Sequence, residues 1–204
     1  MNLRLTILIP ALLLLGASDP PAPVVVSVPK VELGELRENR SHWLGEEVRF
    51  VFQLNAELKT WEPWITPFGV SDYRALSVWD DRALLWNAAD YSNLTPRIFV
   101  RRGTDASKAL SKIRRYDRFE VRAKVQTIFL DEPWIELLEV KLLKERVSQG
   151  TVLHAERAVK LIDEGHFELA LGELDRARLG RLPKYVDAEL GEMSFRCKER
   201  LQSK

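Results

Sequence analysis

The side chains with the strongest chemical character lie in one basic segment, residues 97–124. Ten of them are cationic and three carboxylates oppose them, so the segment carries 10 − 3 = +7 in a chain with 31 basic and 30 acidic residues. A surface of this charge would bind a polyanion, an acidic glycan or an acidic protein. It could equally be a solvated face that acidic residues elsewhere balance. The candidate binding cations are Arg101, Arg102, Arg114, Arg115, Arg118, Arg122 and Lys124.

A second candidate site is an aromatic, proline-stiffened segment at residues 60–69. Trp61, Trp64 and Phe68 lie there, between the first two predicted strands. Exposed rings could stack on sugars, bases or a partner's side chains. Tryptophan is more often buried, however, and we favour rings that fold back over the open end of the domain.

A search for catalytic and metal-binding patterns finds none. His42, His154 and His166 are far apart and show no HExxH spacing, and Cys197 has no neighbouring histidine. A group of acidic and amide residues lacks the spacing and glycine of a calcium loop and is interpreted as turn residues: Asp80, Asp81, Asp90 and Asn93. We therefore expect no metal, no cofactor and no enzymatic activity, and a hydrolase with an unfamiliar site is the weakest alternative.

Composition predicts a globular protein with one ample domain, or one domain and a small second unit. The chain has 204 residues, of which 46% are hydrophobic and 30% charged. The near-zero net charge argues against polyanion binding along the whole chain. A single cysteine, Cys197, excludes an intramolecular disulfide framework and any site with several cysteine ligands.

The first residues predict export. Residues 1–18 have a basic start, an apolar run and the small residues Gly16, Ala17 and Ser18, which is the layout of a signal peptide. The apolar run is too short to span a bilayer. An uncleaved anchor is the alternative, and it would be the chain's one contact with a membrane. Residues 19–29 contain four prolines and indicate an extended tether. We expect a periplasmic or extracellular protein.

Residues 30–145 are predicted to form a β domain that positions these side chains. Period-two alternation predicts strands at 47–58, 73–79, 97–101, 118–130 and 134–143, with a turn at 131–133. Helices are predicted at 31–44 and 106–113, and residues 79–96 are interpreted as a long insertion.

Five strands with a short helix between the third and the fourth is the element order of an OB barrel. The segments WLGEEVRF at 43–50, YDRFEVRAKV at 116–125 and PWIELLEVKLL at 133–143 resemble those of small exported bacterial OB domains. The resemblance implies a module that binds oligonucleotides, oligosaccharides or proteins, without choosing among them.

Residues 151–204 change to a helical period. Two helices that meet at Gly165 and a third at 185–201 are predicted. The segment 158–177 resembles a tetratricopeptide repeat, and the matching positions are Ala158, Leu161, Gly165, Phe167, Ala170, Leu174 and Ala177. A single copy cannot bury its own face, so the helices must pack on the barrel, on each other or on another chain. An ordinary three-helix appendage remains the alternative.

Together these observations predict an exported, non-enzymatic binding or scaffold protein: an OB-like module with a helical partner-docking segment. Its expected partner is another protein or an envelope component. The alternative is a polyanion or nucleic-acid binder that uses the basic segment 97–124 and the Trp61/Trp64 loop. Export disfavours nucleic acid. If the protein binds a polyanion, residues 97–124 should form one continuous basic surface. If it docks a protein partner, the helices should carry an exposed apolar groove.

Overall fold

The computed structural model describes residues 27–61 and 67–203. Five strands and six helices occur in these residues. The strands are β1 Glu47–Leu58, β2 Tyr73–Asp80, β3 Thr95–Arg101, β4 Arg118–Phe129 and β5 Glu132–Leu142. The helices are α1 Leu33–Glu38, α2 Ala88–Ser92, α3 Asp105–Ala109, α4 Gln149–Asp163, α5 Phe167–Ala177 and α6 Lys184–Gln202. The predicted signal peptide at 1–18 and most of the tether lie outside the described residues.

The five strands close into a barrel in the order β1-β2-β3-β5-β4, and β4 pairs with β1 to complete it. All neighbours are antiparallel except β3 and β5, which are parallel. The short helix α3 connects β3 to β4. This topology is compatible with an OB-like fold, and it confirms the predicted class: a five-stranded barrel followed by C-terminal helices.

The alternating side chains of each strand separate the inside of the barrel from the outside. On β1, Phe50 and Phe52 point inward and are fully buried, and Phe52 pairs in register with Phe119 of β4. The two rings lie 5.6 Å apart. Ile98 of β3 and Ile135 of β5 complete the same interior cluster. Because the period is two, the residues between them lie on the outer face of the barrel.

Several local predictions were wrong at their boundaries: the helix predicted at 106–113, for example, spans only Asp105–Ala109. The lead-in helix ends at Glu38 instead of reaching residue 44, because residues 39–46 fold into turns and Gly45 adopts a φ of 84°. The turn between β4 and β5 consists of Leu130 and Asp131, with φ values of 50° and 60°, so β5 already begins at Glu132. Two residues at positive φ match the twist of paired strands and make a tight hairpin.

The C-terminal residues form a helical hairpin, α4 and α5, followed by the third helix α6, as predicted. The Ser148 side chain accepts a hydrogen bond from the backbone N–H of Thr151 at 3.0 Å and caps the start of α4. Gly165, at a φ of 79°, makes the turn into α5. Ala158 and Ala170 are fully buried in one apolar cluster that all three helices share. Small side chains at these points let the helices approach closely.

The helices pack on the outer face of the barrel, where the ends of β1 and β2 lie. The fully buried Trp79 of β2 belongs to the same apolar cluster as the helices. The Tyr185 hydroxyl of α6 donates a hydrogen bond to the Asp81 carbonyl and accepts one from the Gln53 amide at 3.3 Å. Burial raises the pKa of Tyr185 well above its usual value, so this hydroxyl stays protonated and remains a donor.

Candidate functional site

A large cleft in the described part of the chain lies between the barrel and helix α4, and we call it the aromatic cleft. It has a volume of about 750 Å³. One wall comes from residues 85–91, which precede and begin α2, and the floor comes from Arg115 and Tyr116. The opposite wall is the face of α4 that carries Val152, Leu153 and Val159. A concave, mostly apolar site of this size suits a small ligand or a protein segment.

Arg115 is held in this cleft by three aromatic rings. Its guanidinium carbon lies 5.2 Å from the ring centre of Trp79, 5.5 Å from that of Tyr91 and 5.3 Å from that of Tyr116. An Nη2–H group also donates to the Tyr91 hydroxyl at 2.8 Å. Stacking on several rings fixes the planar cation without neutralising its charge. Among the described residues, no carboxylate forms an ion pair with it.

The backbone at Tyr116 explains how this arrangement is built. Tyr116 has a φ of 71°, which is rare for a bulky residue. Its ring stacks parallel to Trp79, with the ring centres 5.7 Å apart, and its N–H donates to the Leu54 carbonyl at 2.8 Å. Burial raises the pKa of the Tyr116 hydroxyl. These contacts hold the unusual conformation and keep the Tyr116 ring beside Trp79 and Arg115. Arg114 and Arg115 line two different clefts.

The wall formed by α4 is partly exposed. Leu153 retains 43% of its surface, although its neighbour Val152 is buried. Glu156 and Lys160 form an ion pair one helical turn apart, at 2.9 Å, beside the apolar residues. An apolar side chain left open next to satisfied charges indicates a surface that another molecule could cover.

The basic segment does not gather its predicted binding cations on one surface. Arg118 pairs with Asp81 through two hydrogen bonds of 2.5 and 2.8 Å, and Asp81 raises the pKa of this guanidinium. Arg122 bridges Glu47 and Glu139. Two further cations of the basic segment form ion pairs: Arg101 with Glu136 and Lys108 with Asp105. Four of the ten cations in the segment are therefore ion-paired.

The remaining predicted cations contact different neighbours. Arg102 donates to the Val70 carbonyl at 3.2 Å, whereas Arg114 and Arg115 enter separate clefts. Lys124 lies on β4 opposite Glu136, in register. The helices pack around Trp79 and Tyr185 and not on the strand face that carries Arg122. Ligand binding by these residues stays a prediction, and the two clefts are the places where it can be tested.

The aromatic segment folds back onto the barrel. Phe68 is 1% exposed and stacks on Phe99 of β3, with the ring centres 4.2 Å apart. Trp61 is half-buried, and its Nε1–H donates to the Phe68 carbonyl at 2.8 Å. Both rings cover the outer face of β2 and β3, above Tyr73 and Trp134. We expected rings that fold back over the open end of the domain, whereas both rings fold back onto the outer face of the strands. Trp64 lies outside the described residues.

Residues 79–96, interpreted from the sequence as an insertion, supply the wall of the aromatic cleft. Their polar residues act locally: the Asn87 side chain caps α2 by accepting from the Ala89 N–H at 2.9 Å, and Asp90 accepts from the Leu84 N–H at 2.8 Å. The closeness in sequence of three aromatic residues, Trp79, Trp86 and Tyr91, is the signal that could have identified the cleft. What the sequence did not show is that α4 packs opposite them.

Two further properties describe the same part of the chain. Within residues 27–61 and 67–203, no group of three or more histidine, cysteine, aspartate or glutamate side chains is arranged to hold a metal ion. No helix among these residues is long and apolar enough to cross a membrane. Cys197 is buried and free, and burial raises the pKa of its thiol.

Compared with protein-family models, with curated proteins and with solved structures, the chain shows no match.

Proposed function

We propose that the chain is an exported, non-enzymatic binding or scaffold protein that receives its partner in the aromatic cleft. The observation that carries the proposal is the cleft itself: about 750 Å³, with Leu153 and Val159 on one wall and Trp86 and Tyr91 on the other. Aromatic and aliphatic side chains around a few oriented polar groups are what a protein–protein recognition site needs. The barrel serves as the module that presents the cleft.

The chemistry of the lining favours binding over catalysis. The one carboxylate in the lining of the cleft, Glu156, is already paired with Lys160. The lining includes neither histidine nor cysteine. Acid–base or nucleophilic catalysis needs a base within hydrogen-bond reach of the reacting group. The oriented Arg115 guanidinium is instead suited to recognising a carbonyl or carboxylate of a bound segment.

The helices would act as the partner-docking segment. Support comes from the positions that resemble a tetratricopeptide repeat, since Ala158, Ala170 and Leu174 pack the α4–α5 hairpin. A single hairpin leaves one face without a following repeat, and part of the α4 face opens into the cleft. The partner would be another protein or an envelope component, because the N-terminal pattern of the sequence predicts export.

The proposal is tested by a comparison of two leucine variants as affinity baits. Leu153→Glu places a carboxylate in the apolar wall of the cleft, whereas Leu179→Glu places the same carboxylate at a residue that is 72% exposed and outside the cleft. Both are applied, with the wild type, to an envelope extract of the source organism. We expect bound proteins to be at least about tenfold depleted with Leu153→Glu and retained with Leu179→Glu, because a carboxylate buried against an apolar partner is unsatisfied. Equal retention by all three baits would show that the cleft is not the docking site.

A further inference from the structure

A second cleft lies at the junction of the barrel and the helices, and we call it the basic cleft. Its lining brings together three separate parts of the chain: the residues before β4, the end of β5 with the segment that follows, and the loop between α5 and α6. Five cations and one carboxylate line it, so its formal charge is 5 − 1 = +4. They are Lys112, Arg114, Lys144, Arg146, Arg181 and Asp117.

The single carboxylate of the basic cleft is already satisfied. Asp117 is 5% exposed, and one of its oxygens accepts from the Arg114 N–H at 2.8 Å. Its other oxygen pairs with the Arg146 guanidinium. Asp117 therefore fixes Arg146 and the turn at Arg114 and offers no further charge to the cleft.

The other four cations are not neutralised. Among the described residues, no carboxylate lies within ion-pair distance of Lys112, Arg114, Lys144 or Arg181, all of which are exposed. Glu145, which follows Lys144 in the chain, does not line the cleft, and its charge acts on Arg118 instead. Four like charges around one concave surface repel one another, and an anion bound between them relieves that repulsion.

The apolar part of the lining indicates the kind of anion. Leu142 is 58% exposed between the cations, and Leu143 lies beside it. None of the lining residues is aromatic. Bases and sugar rings are commonly held by stacking on aromatic side chains, which this cleft does not offer. An acidic protein segment supplies both carboxylates for the cations and an apolar side chain for Leu142.

We propose that the basic cleft is a binding site for an acidic, leucine-containing peptide segment of another protein. It is separate from the aromatic cleft, because the adjacent residues Arg114 and Arg115 point into different clefts. The carboxylates of the segment contact Lys112, Arg114, Lys144 and Arg181, and its apolar side chain packs on Leu142. The site was not evident from the sequence because it combines two cations of the basic segment with three cations that lie outside it.

The test measures binding of a fluorescent peptide of alternating glutamate and leucine by anisotropy. The variant Lys144→Glu/Arg181→Glu reverses two charges in the basic cleft. The control Lys198→Glu/Arg200→Glu makes the same change in net charge at exposed positions of α6, outside it. Circular dichroism checks that both variants fold. We expect the cleft variant to bind at least about tenfold more weakly and the control to bind like the wild type. Binding should also weaken as salt rises from about 50 to about 300 mM, because exposed charges are screened.

Three further probes decide the occupant. A peptide with glutamine in place of glutamate and an all-glutamate peptide should both bind more weakly than the alternating peptide. A single-stranded oligonucleotide that bound more tightly, and was equally sensitive to the cleft variant, would overturn the choice of a peptide. Equal loss of binding in both charge variants would show that the peptide responds to the net charge of the protein and not to the basic cleft. If the acidic peptide did not bind at low salt, the proposed site would be excluded.

Discussion

Replacing Trp79 by leucine should weaken the contact between the helices and the barrel. Trp79 is fully buried, stacks on Tyr116 and donates its Nε1–H to the Tyr91 carbonyl at 2.8 Å. Leucine leaves part of the ring's space empty, which costs about 2 kcal/mol. The lost hydrogen bond and the lost stacking each cost about 1 kcal/mol. The free energy of unfolding should therefore fall by about 4 kcal/mol.

Urea unfolding followed by far-ultraviolet circular dichroism measures this difference. The matched control is Trp61→Leu: Trp61 also donates a hydrogen bond, to Phe68, but is only half-buried and lies in the separate aromatic cluster on β2 and β3. We expect the control to lose about 2 kcal/mol, since less area leaves the interior. Trypsin gives a second readout, because Lys144 and Arg146 lie in the segment between β5 and α4. The Trp79 variant should be cut there faster than the control.

The result that would refute this reasoning is a Trp79→Leu variant that loses no more stability than Trp61→Leu. It would mean that the helices are held to the barrel mainly by other contacts, such as those of Tyr185. Unchanged trypsin cleavage between β5 and α4 would contradict it in the same way.

Three other predictions follow from named contacts. Arg118→Met should lower the free energy of unfolding by about 2 kcal/mol, because it leaves the partly buried Asp81 unpaired. A double-mutant cycle with Asp81→Asn should give a coupling energy of about 1 kcal/mol or more. Additive effects of the two substitutions would contradict a stabilising ion pair. Arg74, Arg122 and His154 lower the pKa values of Glu57, Glu139 and Glu173, so the stabilisation from these three contacts is present above pH 4.5 and is lost as the pH falls through the lowered pKa values of the folded state. The urea midpoint should therefore drop between pH 5 and about 3. A midpoint that rose in this range would exclude the three contacts as the cause. Leu130→Asn/Asp131→Gly should raise the free energy of unfolding by about 1 kcal/mol, because both positions have positive φ and Asn-Gly suits such a turn. A destabilised double variant would show that the lost contact of Asp131 with Arg40 outweighs the relief of backbone strain in the turn.

The sequence predicted the elements of the fold well wherever the period of apolar residues was clear. β1 has the predicted bounds, since Val48, Phe50, Phe52 and Leu54 alternate without interruption. The lead-in helix was predicted too long because Trp43 looked like a continuation of its apolar face, whereas it packs on the barrel from a turn. Local patterns identify elements but do not determine where an irregular segment docks.

The candidate sites were harder to predict, because both clefts are formed by residues distant in the sequence. A charge count over 97–124 treated Arg114, Arg115 and Arg118 as one group, yet each contacts different neighbours. Arg114 shares a cleft with Arg181, Arg115 stacks on Trp79, and Arg118 pairs with Asp81. The positive φ at Tyr116, whose ring contacts both Trp79 and Arg115, has no signature in the amino-acid types.

Site-specific photocrosslinking tests most directly the central claim that the aromatic cleft receives a protein partner. A benzophenone amino acid replaces Leu153 in the cleft or Leu179 outside it, and the chain is irradiated in the intact source cells. We predict a discrete crosslinked partner from position 153 and none from position 179. The same adduct from both positions, or an adduct from position 179 alone, would contradict the claim.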